Sequence, residues 1–373
     1  MKEARGLHQS SPQYRKTRND VELSCGPLEL SSSSSSWKCI ESIVLGKRGQ
    51  LNFLRDLCLD HRQYRRLLVG VTDLVHLVVA SNLAQLPGLR ALVRSAYKNT
   101  KTPSKLQFHI FQQSNNFTEP GGQRNGPLDL ESLHMFVREV GGQPLRLHYF
   151  RKEEVEMYIN EHYIGDAGNV KRRENDLRSP ENYVRFILAD RLEARKVGYL
   201  DTDIIIQGDV VEFANQLSFK GGDRGERAVI LAAFPRHADK IGDKVRKILR
   251  NHNIDPAPPF PGFNAGIMFI DLQKWRAENI TEKMGRICRL NGKMRLWTKL
   301  GSQSPWLVMF TGDRFQHLDK SLMIGELGNN PVDHPQLKQI NPKAMFLHWS
   351  GSNKPWADNA RYLEFWSPYS IDS

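Results

Sequence analysis

The feature that most constrains the fold is a change of pattern near Val71, after which apolar runs of strand length alternate with stretches of helical period. Apolar runs cover residues 74–81, 106–111 and 145–150. Between the first two, apolar side chains recur at i, i+3, i+4 and i+7 from Leu89 onwards, which predicts an amphipathic helix. Strands that alternate with helices are typical of a mostly parallel sheet covered by helices on both faces. The sequence therefore predicts an α/β fold.

The same alternation continues towards the C-terminus. A second helical stripe begins at Leu133, and a further helix is predicted over residues 182–192. That helix leads directly into an apolar run, residues 197–210, which carries two aspartates. Later strands are predicted at residues 228–234, 266–272 and 344–348. Because open α/β sheets bind ligands beyond the carboxyl ends of their strands, the polar residues at those ends are the candidates for function.

The N-terminal part of the chain has a different character. Residues 1–70 are polar and basic, include six consecutive serines and show no sustained period, which predicts a largely disordered segment. The domain boundary is therefore predicted near Val71, with one large domain over residues 71–373. No stretch approaches the roughly 20 apolar residues of a membrane-spanning helix, so neither a membrane span nor a secretion signal is expected in this chain.

The charge of the chain limits its partners only weakly. The formal net charge is +12, which suits a phosphorylated ligand, an acidic surface or a polyanion. The excess of Lys and Arg is scattered along the chain, and no pattern of stacking aromatic and basic residues accompanies it. We therefore expect no nucleic-acid partner.

Two aspartates interrupt a strong strand pattern, VGYLDTDIIIQGDV. Asp201 and Asp203 flank Thr202, and in an extended chain alternate side chains point to the same face. Two unpaired carboxylates at the end of a buried strand are unfavourable, so a cation is expected beside them. Oxygen ligands suit a hard divalent ion such as Mg²⁺ or Mn²⁺. The alternative is a turn cap and a surface ion pair, which is the commoner explanation of a lone Asp-x-Asp.

A second polar cluster lies near the C-terminus, in LHWSGSNKPW. His348 follows an apolar run, and its neutral imidazole can serve as a third ligand, which Mn²⁺ accepts more readily than Mg²⁺. Gly351 permits close approach of the backbone to a ligand, and Lys354 offers a compact charge suited to phosphate. Taken singly, these residues are more simply explained as a core histidine, a turn glycine and a solvated lysine, respectively. Together with the Asp pair, they are interpreted as a clamp for a metal and a diphosphate.

Four motifs stand in the order YLDTDIIIQGD, FNAGIMFIDLQKW, SQSPWL and LHWSGSNKPW. In order and spacing they resemble the retaining glycosyltransferases of family 8, and most closely the animal glycosyltransferase 8 domain-containing proteins. The resemblance extends from Val75 to Trp366 and marks residues 71–373 as a catalytic domain. It implies a GT-A fold, a UDP-sugar donor, Mn²⁺ with Mg²⁺ as an alternative, and retaining transfer to a hydroxyl of an unidentified glycan or protein. A homodimer is one assembly state expected for such an enzyme.

The matching motifs also imply roles for individual residues. Arg185 matches a helix arginine that reaches the donor and the metal, with a surface arginine as the alternative. Gln303 would face the reacting carbon, and Asn264 would contact the donor sugar. The other implied contacts are metal binding by Asp201, Asp203 and His348, uridine-site or other donor contacts by Val79, Ala80, Ser81 and Thr202, sugar contact by Ala265, and binding and stabilisation of the diphosphate by Gly351 and Lys354.

Two features depart from the family pattern. Where relatives place an acidic residue near the sugar, this chain reads Pro235-Arg236-His237, so the resemblance does not choose between a hexose and a pentose. Relatives are usually anchored in the Golgi by an N-terminal membrane helix, whereas residues 1–70 contain none. A Golgi or secretory location is therefore implied by the resemblance alone.

Three other functions remain open at the level of sequence. The same pocket suits a catalytically weak protein that binds a UDP-sugar. Aspartate pairs also occur in metal-dependent phosphohydrolases, although LHWSGSNKPW would then have no evident purpose. Nucleic-acid binding driven by the positive charge ranks last.

Overall fold

The computed structural model describes residues 74–114, 127–159, 178–219, 229–236, 241–298, 301–329, 344–358 and 360–370. These residues belong to one compact unit, Gly70–Ser373. The N-terminal segment predicted to be disordered, residues 1–70, lies outside the described residues, so its disorder stays a prediction.

Strands and helices alternate along the described residues. The strands are β1 (Val75–Ala80), β2 (Leu106–Gln113), β3 (Arg146–Phe150), β4 (Lys196–Leu200), β5 (Ile204–Ile206), β6 (Leu231–Arg236), β7 (Gly262–Asp271), β8 (Gln316–His317), β9 (Met323–Ile324) and β10 (Phe346–His348). The helices are α1 (Leu86–Asn99), α2 (Glu131–Glu139), α3 (Lys152–Val155), α4 (Leu188–Arg191), α5 (Val210–Gln216), α6 (Asp243–Asn251), α7 (Leu272–Ala277), α8 (Ile280–Met294), α9 (Gln303–Phe310) and α10 (Leu363–Ser370). Among these helices, none is both long and apolar enough to cross a membrane.

Seven strands form the main sheet, in the order β3-β2-β1-β4-β7-β6-β8. β1, β2, β3 and β4 run parallel to one another, whereas β7 is antiparallel to both of its neighbours, β4 and β6. Helices cover both faces, since β1 turns Leu77 and Val79 towards α1 and α2, and Val78 towards a core that includes Trp275 and Trp306. Burial on both faces explains the continuous apolar run of β1. The predicted α/β fold with a mixed, mostly parallel sheet is confirmed.

A small second sheet brings β10, near the C-terminal end of the chain, next to β5. Its order is β5-β10-β9, and β10 pairs antiparallel with β5 so that His348 stands opposite Ile204. Ile205 and Leu347, which also face each other in this ladder, are fully buried. The pairing places His348 beside the residue that precedes β5, which is Asp203.

Two predicted elements differ from the sequence-based expectations. The predicted helix over residues 182–192 is a 3₁₀ helix, Pro180–Phe186, followed by the short α4. Consecutive residues of the 3₁₀ segment are buried, so it lacks the polar face of an amphipathic helix. β7 begins at Gly262, earlier than predicted, because its first residues pair with β6 beyond an irregularity in the ladder.

The expectation of an extended chain through the Asp pair is wrong. The chain leaves the main sheet after Leu200, turns at Thr202 and Asp203, and enters the second sheet at Ile204. The two carboxylates therefore converge through a turn between two sheets, and the alternation of side chains along one strand does not apply.

A row of three histidines crosses the parallel part of the main sheet. His76 Nδ1 lies 2.9 Å from His109 Nε2, and His109 Nδ1 lies 2.9 Å from His148 Nε2. Burial, followed by the charge of Arg146, lowers the pKa of His76 to about 4. Burial, followed by Arg191 and Arg146, lowers the pKa of His148 to about 4, and burial with the surrounding charges lowers the pKa of His109 further. The row is therefore a chain of neutral rings.

We expect the free energy of unfolding to fall as the pH drops from about 6.5 towards about 4. The unfolded histidines take up protons near pH 6.5, whereas the folded ones stay neutral, so acid favours the unfolded state. Urea unfolding as a function of pH measures the effect. His76→Gln should make the dependence shallower, and the exposed control His134→Gln should not. Equal pH dependence of His76→Gln and the wild-type chain would contradict this account.

Candidate active site

The three residues predicted to bind metal meet where the main sheet gives way to the second sheet. Asp201 follows β4, Asp203 precedes β5, and His348 ends β10. The backbone N–H of Asp201 donates to the Gly266 carbonyl at 2.8 Å, and the N–H of Trp349 donates to the Asp203 carbonyl at 2.9 Å. Strands from both sheets therefore fix the turn that carries the two aspartates.

The geometry of this group suits a divalent cation. One ligand atom each from Asp201, Asp203 and His348 lies within 4.8 Å of the others. His348 Nε2 is 3.2 Å from Asp203 Oδ1, and its Nδ1 has no hydrogen-bond partner among the described residues. Two carboxylates and an imidazole are a donor set that Mn²⁺ accepts, with further coordination positions for water or a substrate. The residues therefore fit a divalent metal ion.

The two carboxylates have different electrostatic surroundings. Burial alone would raise the pKa of Asp203, but the Lys354 ammonium, which is paired with its Oδ2, and His348 outweigh that effect and hold the pKa well below its usual range. Burial raises the pKa of Asp201, against the opposing charge of Arg185, whose Nη2 lies 3.7 Å from Asp201 Oδ1. The Asp201 side chain keeps 31% of its surface exposed, whereas the Asp203 side chain keeps 6%, so Asp201 is the less buried carboxylate.

Arg185 is a buried part of the site. Its guanidinium donates to the Ala265 carbonyl at 2.6 Å and to the Asn182 carbonyl at 3.0 Å, and it lies over the Tyr199 ring at 4.6 Å. The side chain is only 5% exposed, so the alternative of a surface arginine is wrong. These contacts join Ala265 to the Asp pair, and the predicted roles of Arg185 and Ala265 towards a donor stay predictions.

Gly266 provides the space beside the three candidate ligands. A Cβ atom at Gly266 would lie 2.5 Å from His348 Cε1 and 2.7 Å from Asp201 Oδ2. The Asn264 side chain accepts a hydrogen bond from the Gly266 N–H at 2.8 Å, which holds Asn264 at the same edge. The sequence pattern identifies Gly266 only as the start of a predicted strand. Its place after Asn264 and Ala265, two predicted sugar contacts, was the available signal.

The loop that carries Lys354 is anchored by a pair of glycines. Gly351 has a φ of +129° and forms an isolated bridge with Gly328. A Cβ at Gly351 would lie 2.5 Å from the Gly328 carbonyl carbon. In the structure, Gly351 permits close approach of its backbone to that of Gly328. Its close approach to a ligand stays a prediction.

The other predicted residues lie on segments next to this centre. Val79, Ala80 and Ser81 are buried at the end of β1, where the Ser81 N–H donates to the Phe111 carbonyl. Thr202 is buried too, and its carbonyl oxygen lies against α1 at Gly88. Gln303 donates from its side chain to the Phe263 carbonyl, beside Asn264. The roles of these residues towards a donor stay predictions.

Solved structures share this architecture. One is the galactosyltransferase LgtC in complex with donor and acceptor sugar analogues, with a TM-score of 0.54, 16% identity, and coverage of 79% of this chain and 95% of that one. Another is the apo-form glycosyltransferase GlyE of Streptococcus pneumoniae TIGR4, with a TM-score of 0.50, 20% identity, and coverage of 80% and 60%. At these identities the likeness shows the fold alone. The described residues therefore have the GT-A fold of these glycosyltransferases.

The chain belongs to glycosyl transferase family 8, whose model matches residues 59–360. Probable galacturonosyltransferase 4 of Arabidopsis thaliana is 28% identical over 291 residues, which cover 74% of this chain and 45% of that protein. Probable galacturonosyltransferase-like 5 of the same plant is 26% identical over 319 residues, which cover 80% and 77%. The chain thus spans about half of the first relative and most of the second. The predicted family and enzyme class are confirmed.

We expect Gly266→Ala to weaken Mn²⁺ binding by about tenfold or more, because the added methyl group displaces His348 or Asp201 from the common centre. Isothermal titration calorimetry with Mn²⁺ measures this. The matched control is Gly292→Ala in α8, where an added Cβ meets no atom within 4 Å. Gly292→Ala should keep the metal affinity and change stability by no more than about 1 kcal/mol. Equal Mn²⁺ affinity in Gly266→Ala and the wild-type chain would contradict the assignment.

Proposed function

We propose that this chain transfers a hexose or pentose from a UDP-sugar to a hydroxyl acceptor, with retention of configuration, using Mn²⁺ or Mg²⁺ held by Asp201, Asp203 and His348. The observation that carries the proposal is the convergence of two carboxylates, an imidazole and a lysine where β4 and β10 end. Membership of glycosyl transferase family 8 supports the proposal.

The chemical task is to let the diphosphate leave while positive charge grows on the sugar ring. A bound divalent ion supplies positive charge to the departing diphosphate. Lys354 adds a second charge, and its pairing with Asp203 fixes where that charge stands. Asp203 and His348 are 5% and 1% exposed, so water competes little at these two residues, whereas the Lys354 side chain keeps 34% of its surface exposed.

The stereochemical part of the proposal is a front-face attack. A double displacement needs a carboxylate close to the anomeric carbon, on the side opposite the leaving group. The residues predicted to face the sugar, Asn264 and Gln303, carry amides, and their side chains bond to backbone groups of β7. This favours attack by the acceptor hydroxyl on the same face, with the departing phosphate accepting its proton.

The proposal extends to partners and location. The donor is a UDP-sugar, the acceptor is a hydroxyl group of a glycan or protein, and the family resemblance supports the Golgi or secretory pathway, with a homodimer as one assembly state. The two plant relatives are named as probable galacturonosyltransferases, so uronic acids belong among the donors to be tested.

The second candidate is a catalytically weak protein that binds a UDP-sugar in the same pocket. A donor panel separates the two functions: the full chain is incubated with Mn²⁺, Mg²⁺ or chelator, each UDP-sugar and mixed glycan acceptors, and released UDP is measured. A transferase releases UDP faster when acceptor and Mn²⁺ are both present. Calorimetric binding of the UDP-sugar without turnover would instead identify the binding protein.

We expect Asp203→Ala to lower UDP release by about a hundredfold or more, because it removes a metal ligand and the partner of Lys354. Thermal unfolding followed by circular dichroism should remain cooperative, which shows that the loss is not one of folding. The control Asp313→Asn changes an exposed carboxylate outside the site and should keep wild-type turnover. Turnover by Asp203→Ala that matches the wild-type chain and persists in chelator would reject the proposed metal site.

A further inference from the structure

An ion pair crosses the carboxyl edge of the main sheet beside the candidate site. Arg236 is the last residue of β6, and its guanidinium Nη2 pairs with Oε1 of Glu326. Both side chains are about half-buried, at 41% and 42% exposure. β6 and β4 are each antiparallel to β7, so Arg236 and Asp201 lie at the same edge of the sheet.

The strand pairing sets the position of Arg236 along that edge. Arg236 stands opposite Gly262, at the start of β7. Further along β7 come Asn264, the predicted sugar contact, and then Gly266, which adjoins the metal group. At about 3.3 Å per step, the four steps along β7 from Gly262 to Gly266 span about 13 Å. The predicted sugar contact Asn264 lies within this span, between Arg236 and the metal group along the strand.

Glu326 approaches the same space from the other side. Its backbone N–H donates to Ser350 Oγ at 2.9 Å, and the N–H of Leu327 donates to the His348 carbonyl at 3.2 Å. The Arg236 guanidinium therefore lies between the strand that carries Asn264 and the segment that carries His348.

The backbone of Glu326 is held in an uncommon conformation. Its φ is +67°, a region that residues other than glycine seldom adopt. Hydrogen bonds fix it there, since the Asn329 N–H donates to the Glu326 carbonyl at 2.9 Å and Ser350 accepts from the Glu326 N–H. Such conformations persist where the surroundings determine them. The carboxylate is thus presented to Arg236 by a fixed loop.

The chemistry of a guanidinium indicates the ligand. Its planar fork of N–H donors matches a carboxylate, whereas the hydroxyl groups of a neutral sugar are bound well by acidic and amide side chains. Among the described residues, the pair with Glu326 uses one guanidinium nitrogen, which leaves other N–H donors for a ligand. We propose that Arg236 binds the carboxylate of a uronic acid, so that the donor of this enzyme is a UDP-uronic acid.

This proposal rests on the proposed function and adds the class of sugar to it. Glu326 holds the guanidinium in place before the donor binds. The carboxylate at C6 of the sugar then forms charge-assisted hydrogen bonds with the remaining N–H donors. The C6 hydroxyl of a neutral hexose accepts only a weaker, single hydrogen bond from a guanidinium. The discrimination is therefore between anionic and neutral sugars and does not concern the configuration of single hydroxyls.

The test compares kcat/KM for UDP release from UDP-glucuronate and UDP-galacturonate with that from UDP-glucose and UDP-galactose, using the full chain and Mn²⁺. We expect the wild-type chain to prefer the uronates by about tenfold or more. Arg236→Ala should lower that ratio by about tenfold or more, and Arg236→Lys should give an intermediate ratio because it keeps the charge and loses the fork. Glu326→Gln should keep the ratio at or above its wild-type value. Arg138→Ala, an exposed arginine on α2, is the control for loss of one positive charge.

The possible results separate this proposal from the one on which it depends. Turnover of neutral donors at equal or better efficiency, with a ratio unchanged in Arg236→Ala, overturns the assignment of Arg236 and leaves the glycosyltransferase function intact. An equal loss of turnover for all four donors in Arg236→Ala shows that the ion pair only holds the two segments together. This result also overturns the assignment of Arg236. If none of the donors is bound or turned over by the wild-type chain, the proposed function fails first. If Arg236→Ala does not fold, Arg236→Lys and Glu326→Gln decide.

Discussion

The site depends on the antiparallel pairing of β5 with β10, which ties the end of the chain to the turn that carries the Asp pair. Lys354 and Asp203 are separated by 151 residues, yet their side chains meet. Closing such a long loop costs entropy, although that cost grows slowly with length. Burial of apolar side chains offsets it, because Ile205, Leu347 and Trp349 share a core in which each is fully buried. An apolar ladder thus positions the polar groups.

A second constraint is the balance of charge within this turn. Asp203 is almost fully buried, and a buried carboxylate persists only with compensating partners. Lys354 supplies one such partner, and Arg185 offers another charge to Asp201. Removing one member of such a group leaves the others uncompensated, which is more costly than the net value of the interaction suggests. A divalent ion would add positive charge where the two carboxylates lie close together. The arrangement of like charges that destabilises the fold is therefore also the one that favours metal binding.

Sequence reasoning succeeded where a local pattern determines the outcome. The apolar run of β1, the buried stripe of α1 from Leu89 and the family motifs each lie within one segment, so the α/β class and the family followed from them. It failed where contacts between distant segments determine the local structure. The 3₁₀ helix Pro180–Phe186 is shaped by packing on several sides, and the early start of β7 depends on its pairing with β6. The spacing role of Gly266 and the pair of Arg236 with Glu326 become visible only as distances between segments.

The central claim is that Asp201, Asp203 and His348 bind one metal ion that meets the diphosphate of a donor. Anomalous diffraction at the manganese edge, from crystals of the chain grown with Mn²⁺ and UDP, tests it most directly. We expect one anomalous peak in contact with both carboxylates, the imidazole and the diphosphate oxygens. A manganese peak away from these three residues, or UDP bound at full occupancy with no peak between them, would contradict it.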